Sequence, residues 1–208
     1  MKKAEKVLAG IAAAGLIFGI QQWPGGTLLS VLALSSLACL YYPFGALVFN
    51  GIRMKDLSKK SAYAGVPTFR IAVGFGIGMV LSVLVMGILF KWQLWPGGEF
   101  ILIVGLIAAA GLLIALIAGA TGNSAMRPFA AKAGARLSVW GSLALLLWLT
   151  PQITLVEWRH ADEPELVEAW RAHLANPEDE ALRRALDEAY SLKYERNSSE
   201  TERDEQSE

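Results

Sequence analysis

The chain has 208 residues, of which 54% are hydrophobic and 18% are charged, and its formal net charge is zero. The hydrophobic residues are gathered into long blocks, which is typical of a membrane protein and not of a soluble domain. The zero net charge is the sum of a basic first part and an acidic second part of the chain. Residues 1–156 hold 12 basic and three acidic residues, whereas residues 157–208 hold seven basic and 16 acidic ones. No basic patch indicates nucleic-acid binding, and the single cysteine, Cys39, excludes an intramolecular disulfide.

Five apolar segments are candidates for membrane-spanning helices. A hydrocarbon core of about 30 Å requires roughly 20 helical residues, so four segments are long enough and the first is short. The segments cover about residues 7–22, 27–49, 71–90, 100–120 and 137–156. The first follows three lysines and also fits a secretory signal peptide. We expect it to be retained, because its counterpart further along the chain is internal.

A short motif occurs twice with identical spacing. The two copies consist of Phe18, Gln21, Trp23, Pro24, Gly25 and Gly26, and of Phe90, Gln93, Trp95, Pro96, Gly97 and Gly98. Each copy lies between two apolar segments, which predicts a repeated hairpin of two spanning helices, over about 7–49 and 71–120. Proline and glycine favour a tight turn, and tryptophan favours the membrane interface. The turn is therefore interpreted mainly as structural, while the two glutamines could contact the neighbouring hairpin or a partner.

The positions of lysine and arginine predict the orientation in the membrane. Three basic stretches should be cytoplasmic, namely the N-terminus, the loop from Arg53 to Arg70, and the loop containing Arg127, Lys132 and Arg136. The two motif turns then lie on the opposite side. An odd number of spans also places the acidic C-terminal part outside, in the periplasm.

The acidic part reads as a small helical hairpin over about residues 157–194. Leu166 and Trp170 share one helical face, as do Leu182 and Leu186 further along. Asn176, followed by a proline and three acidic residues, predicts the start of the second helix. Residues 195–208 are polar and without periodicity, which predicts disorder.

The chain contains no recognisable nucleophile motif, phosphate-binding loop or metal-ligand spacing. His160 and His173 are the candidates for a ligand or a base, but ordinary packing histidines are favoured because neither has a matching set of ligands. No ionisable residue lies well inside a predicted span, which argues against a proton pathway. We therefore expect no catalytic residue, cofactor or metal.

The segments Phe18–Gly26 and Phe90–Gly98 resemble the transmembrane hairpin of the GldL-like family, with each leading into a second span. That family supplies an inner-membrane component of the gliding-motility and type IX secretion apparatus of Bacteroidetes-type bacteria. The resemblance covers about the first 120 residues, as two copies. It implies a related membrane domain in the bacterial inner membrane.

The chain departs from this family at the position of the motor carboxylate. The corresponding positions are Ser35 and Ser36 in the first copy and Ile107 and Ala108 in the second, and none is acidic. The resemblance therefore does not imply an inherited motor activity.

The sequence predicts an all-α polytopic membrane protein, with about five spans built from two parallel hairpin repeats plus one extra span. Its leading functional interpretation is a non-catalytic scaffold or accessory subunit of an envelope complex, in which the protein assembles with itself or with a membrane-protein partner. The alternative is a small transporter or channel with a pathway between the hairpins, lined by Gln21 and Gln93. A membrane enzyme acting on lipid would have only His160 and His173 to offer.

Overall fold

The structure is a computed structural model that describes residues 2–52, 54–56 and 58–207. Arg53, one of the basic residues of the predicted cytoplasmic loop, lies outside the described residues. Eight α-helices occur in the described part of the chain, which has no strand there. They are α1 Lys2–Ile20, α2 Gly26–Asn50, α3 Thr68–Trp92, α4 Gly98–Gly122, α5 Arg127–Leu149, α6 Gln152–Arg159, α7 Pro164–Ala175 and α8 Glu180–Ser207. The predicted all-α class is confirmed.

The chain divides into two compact units, Met1–Thr150 and Pro151–Glu208. In the first unit, which we call the bundle, α1 packs against α2, α2 packs most extensively against α3, and α3 also packs against α4 and α5. The second unit, which we call the tail unit, consists of α6, α7 and α8. The sequence placed the boundary six residues later, at 156/157, because it read one apolar segment through to Val156.

Among the residues that the structure describes, three helices are long and apolar enough to cross a membrane. They are α2 over Gly26–Leu47, α3 over Thr68–Trp92 and α4 over Gly98–Gly122. A fourth is obtained only when α5 and α6 are counted as one broken span. These helices support a membrane protein with several spans.

The last predicted span, over 137–156, differs from the structure. The helix α5 begins ten residues earlier, at Arg127, and ends at Leu149. Thr150 is extended, and Pro151 has no backbone N–H with which to continue the helix. The apolar segment of the sequence indicated that a helix lies here, but it did not indicate where the helix begins and ends.

The C-terminal residues also differ from the prediction of disorder over 195–208. The structure continues α8 to Ser207. Glutamate, arginine and glutamine, which occur in this segment, are good helix formers, and extension of an existing helix requires no new nucleus. The start of α8 is different as well, because the capping side chain is Asp179, which accepts from the amide of Ala181 at 2.8 Å.

The closest packing in the bundle joins α2 to α3 through glycines. A Cβ atom on Gly45 would lie 2.5 Å from the Cα atom of Gly78, and one on Gly78 would lie 2.5 Å from the carbonyl oxygen of Tyr41. Because backbone atoms fill this space, only glycine fits at either position. Gly111 and Gly119 of α4 differ from these two glycines, since a Cβ atom on either would meet nothing within 4 Å.

We predict that Gly45→Ala destabilises the bundle by about 1–3 kcal/mol, because the added methyl group forces α2 and α3 apart. Gly111→Ala is the matched control, and it should be neutral or slightly stabilising because its methyl group enters open space. Thermal unfolding of the detergent-solubilised protein measures the difference. Equal melting temperatures for the two variants would contradict the glycine contact.

Candidate functional site

The two copies of the repeated motif form turns with the same backbone geometry. Two residues after the end of α1, Gln22 lies in the left-handed region at φ 54°, and two residues after the end of α3, Leu94 lies there at φ 59°. The amide of Trp23 donates to the carbonyl of Phe18 at 2.9 Å, and the amide of Trp95 donates to that of Phe90 at 2.9 Å. This six-residue hydrogen bond with a left-handed residue inside it is the Schellman helix ending.

The spacing of phenylalanine and tryptophan follows from this helix ending. A Schellman ending is usually accompanied by an apolar contact between the two residues that share its long hydrogen bond. The rings of Phe18 and Trp23 lie 5.0 Å apart, and those of Phe90 and Trp95 lie 5.1 Å apart, both edge to face. Both tryptophans remain about half exposed. The aromatic pair therefore fixes the turn and leaves the indole available to an interface.

The glycines of each motif have two separate tasks. Gly25 and Gly97 adopt φ values of 84° and 83°, which side-chain-bearing residues rarely adopt. A Cβ atom on Gly26 or Gly98 would lie 2.7 Å from a backbone nitrogen of the preceding helix. Both prolines lie just before the left-handed glycine, outside the helices that follow.

The two glutamines of the motif are placed differently. Gln93 is buried, and its amide nitrogen donates to the hydroxyl of Ser30 at 2.9 Å, so it joins α3 to α2. The Ser30 hydroxyl donates in turn to the carbonyl of Thr27. The side chain of Gln21 is exposed. One copy therefore uses its glutamine to connect the two hairpins, and the glutamines do not converge on a common point.

The second turn also carries an ion pair that the first turn lacks. Lys91 is 2% exposed, and its ammonium group contacts the carboxylate of the mostly exposed Glu99. The residues at the same positions in the first copy are Gly19 and Thr27, and the ring of Trp92 packs on Gly19. Lys91 is thus held within the bundle instead of extending to water.

A second polar cluster joins α1, α2 and α5, and we call it the Glu5 cluster. Arg136 donates to both carboxylate oxygens of Glu5, from Nε and, at 2.8 Å, from Nη2. The hydroxyl of Tyr41 donates to Glu5 at 2.8 Å, and the indole of Trp140 donates to the Tyr41 oxygen at 3.2 Å. The guanidinium of Arg136 also lies over the ring of Phe49. Arg136 and Tyr41 therefore satisfy one carboxylate in a largely buried place, and Trp140 and Phe49 hold these two donors in position.

The sequence did not identify the Glu5 cluster. Glu5 lies before the first predicted span and Arg136 before the last, 131 positions apart, and nothing in the spacing relates them. The one feature of the sequence that could have drawn attention to Glu5 is its rarity, since it is one of only three acidic residues in the membrane part. Burial opposes ionisation of Glu5, but hydrogen bonds from Arg136 and Tyr41 outweigh it and hold the pKa of the carboxyl below its ordinary value of 4.5.

The histidines occupy ordinary positions in the tail unit. His160 is buried, and its Nδ1 lies 3.0 Å from Glu163 and 3.2 Å from the ammonium of Lys193. Lys193 also pairs with Glu163 at 3.0 Å. Lys193 can donate to Nδ1 only when that nitrogen carries no proton. Burial and the nearby Lys193 charge lower the pKa of His160 below 6.5, so it is neutral at pH 7.

The remaining contacts of the tail unit form an aromatic core. The indole of Trp170 donates to the hydroxyl of Tyr190 at 3.0 Å, and the ring of His173 lies against Trp170. Among the residues that the structure describes, no group of three or more histidine, cysteine or acidic residues could hold a metal ion.

Comparison of the chain with protein-family models, curated proteins and solved structures finds no match in any of the three.

We predict that the Glu5 cluster contributes to stability as a unit. Glu5→Gln or Arg136→Gln should each cost about 3 kcal/mol, because either change leaves a poorly solvated charge without its partner. The double variant should lose less than the sum of the two, with a coupling of about 1–3 kcal/mol. The free energies of unfolding of the wild type, the two single variants and the double variant, measured by chemical unfolding in detergent, give this coupling as a double-mutant cycle. Additive losses would show that the two side chains act independently.

A pH-dependent stability of the tail unit follows from His160. Its pKa is lower when folded, so the folded unit binds fewer protons than the unfolded one, and its stability falls as pH drops below 6.5. Hydrogen exchange of α7 and α8 amides in the full chain, corrected for intrinsic rates, should show weaker protection at pH 5.5 than at pH 7.5. His160→Gln should remove most of this difference. The same pH response in both proteins would contradict the assignment.

Proposed function

We propose that this protein is a non-catalytic inner-membrane scaffold or accessory subunit, which assembles with itself or with an envelope complex and presents the tail unit as a docking element. The observation that carries the proposal is the tail unit itself, a compact helical body with its own buried core that follows the bundle. Its sequence from Glu157 onward holds 16 acidic and seven basic residues. Such a surface favours a basic partner.

The ionisable residues of the bundle support a structural role. Glu5 is bound by Arg136, Glu99 pairs with Lys91, and Asp56 pairs with the exposed Lys59. A proton pathway needs a carboxylate that can exchange its proton within the membrane. Each carboxylate of the bundle is instead held by a cation, and none lies in α3. This arrangement favours a structural role of the bundle over a proton pathway.

The proposal of an envelope complex draws on the resemblance to the GldL-like hairpin. The two turns with equal geometry support two hairpins of one design, which we propose are parallel repeats in a five-span topology. The N-terminus would then be cytoplasmic and the tail unit periplasmic. The positions that correspond to the motor carboxylate are occupied by Ser35 and Ser36 in the first copy and by Ile107 and Ala108 in the second, so the proposed role is accessory and not that of a motor.

The alternative of a small transporter or channel gains little from the glutamines that suggested it. Gln93 is hydrogen-bonded to Ser30 inside the bundle, and Gln21 is exposed. A pathway would need both side chains to face the same space. The scaffold therefore remains the better supported proposal.

The decisive experiment is in-membrane crosslinking of a tagged chain at native expression, with identification of what is recovered. Removal of residues 151–208 should abolish partner recovery and leave membrane insertion intact. A finer variant reverses three exposed charges of the tail unit, Glu165→Lys, Glu168→Lys and Glu188→Lys, and should reduce recovery about tenfold, since charge complementarity governs such encounters.

The control for the charge reversal is the pair Arg183→Gln and Arg184→Gln, which changes two exposed residues of α8 but keeps the acidic residues. Recovery with this control should equal that of the wild type. Partner recovery that survives removal of the tail unit would contradict the docking role. Recovery of the protein alone, together with solute flux in vesicles that Gln93→Leu reduces, would support the transporter instead.

A further inference from the structure

An apolar groove runs between α4 and α5 on the outside of the bundle. Its volume is about 490 Å³, and its walls include Leu113, Ile117 and Ala120 of α4 and Ala131 and Gly134 of α5. The side chains of α5 at this place are small, which leaves the groove open. A Cβ atom on Gly134 would meet only Leu113, at 3.8 Å.

The dimensions of the groove suit a hydrocarbon chain. Helix α4 is one of the three helices apolar and long enough to span a membrane, so its outer surface faces lipid in the bilayer. From Leu113 to the end of α4 at Gly122 is nine residues, or about 13 Å at 1.5 Å per residue. The groove therefore extends from the end of the helix well into one leaflet.

A cation lies at the mouth of the groove. Arg127 begins α5 and lines the groove, and its Nε donates to the carbonyl of Ala120 at 3.3 Å, which holds the side chain over the opening. The two terminal nitrogens of the guanidinium remain as donors. Arg127 is exposed and has no ion pair among the described residues.

No carboxylate of the bundle is available to Arg127. The three acidic residues of the bundle are Glu5, Asp56 and Glu99, and each already pairs with a different cation. Arginine at the end of an apolar groove, at the depth of the headgroups, is the arrangement that recognises a lipid phosphate. Arg127 therefore supplies the charge complementarity that the apolar walls alone would lack.

We propose that the groove between α4 and α5 is a binding site for one anionic phospholipid, with an acyl chain along the groove and the phosphate at Arg127. The site is independent of the proposed docking role of the tail unit. The probe is phosphatidylglycerol, with phosphatidylcholine of the same acyl chains as the neutral comparison.

The test is native mass spectrometry of the full chain in mild detergent, titrated with each lipid. The wild type should bind phosphatidylglycerol about tenfold more tightly than phosphatidylcholine, which is the effect of a hydrogen-bonded charged group. Arg127→Gln should abolish the preference, and Arg127→Lys should keep part of it. Ala131→Leu, which fills the groove, should weaken the binding of both lipids. Lys132→Gln removes a neighbouring charge that does not line the groove and should change nothing.

Three results would overturn the proposal. They are equal affinity of the wild type for the two lipids, undiminished binding by Ala131→Leu, and loss of the bound lipid in excess inorganic phosphate, which would place recognition on the headgroup alone. Melting temperatures of all variants in detergent identify any loss of binding that comes from unfolding. If Arg127→Gln proves unstable, Ala131→Leu and Arg127→Lys test the groove and the charge separately.

Discussion

The bidentate ion pair between Glu5 and Arg136 joins the first helix of the bundle to the last, and Tyr41 connects the same carboxylate to α2. A carboxylate in a largely buried place destabilises a fold unless donors surround it. Here Arg136 and Tyr41 supply the donors, and Trp140 orients the tyrosine. Because α2 provides Tyr41 and packs against α3 through Gly45, the same cluster also fixes where the central helix pair lies relative to α1 and α5.

The two hairpins have the same turn geometry but different polar contacts beside the turn. Both copies have the Schellman ending, the aromatic pair and the left-handed glycine, and these features determine how tightly two helices can be joined. The copies differ in the polar residues beside the turn. The second has the hydrogen bond from Gln93 to Ser30 and the ion pair of Lys91 with Glu99, whereas the first leaves Gln21 exposed. The shared part is set by backbone geometry, and the differing part by burial, since Lys91 and Gln93 are buried whereas Gln21 is exposed.

The sequence predicts features that depend on neighbours along the chain and misses those that depend on distant contacts. The all-α class and the hairpin turns follow from local composition and from steric limits on proline and glycine. The ends of α5 and the helical extension of α8 were missed, because hydropathy does not register a helix that continues through polar residues. The Glu5 cluster was missed for another reason: its partners come from three helices, and only folding brings them together.

The exposed side of α4 relates the packing of the bundle to its surroundings. Only 22% of this helix's span is buried, against half of that of α3, although α4 is the most apolar of the three candidate spans. A helix of this kind is solvated by lipid or by another apolar surface, since water would make its exposure unfavourable. Gly111 and Gly119 on the same helix have no side chains, so another helix could approach its backbone closely there, although a Cβ atom at either position would meet nothing within 4 Å in the bundle. Arg127 distinguishes one end of α4 from the rest, because a charge beside an apolar groove favours an anionic lipid over a second apolar helix.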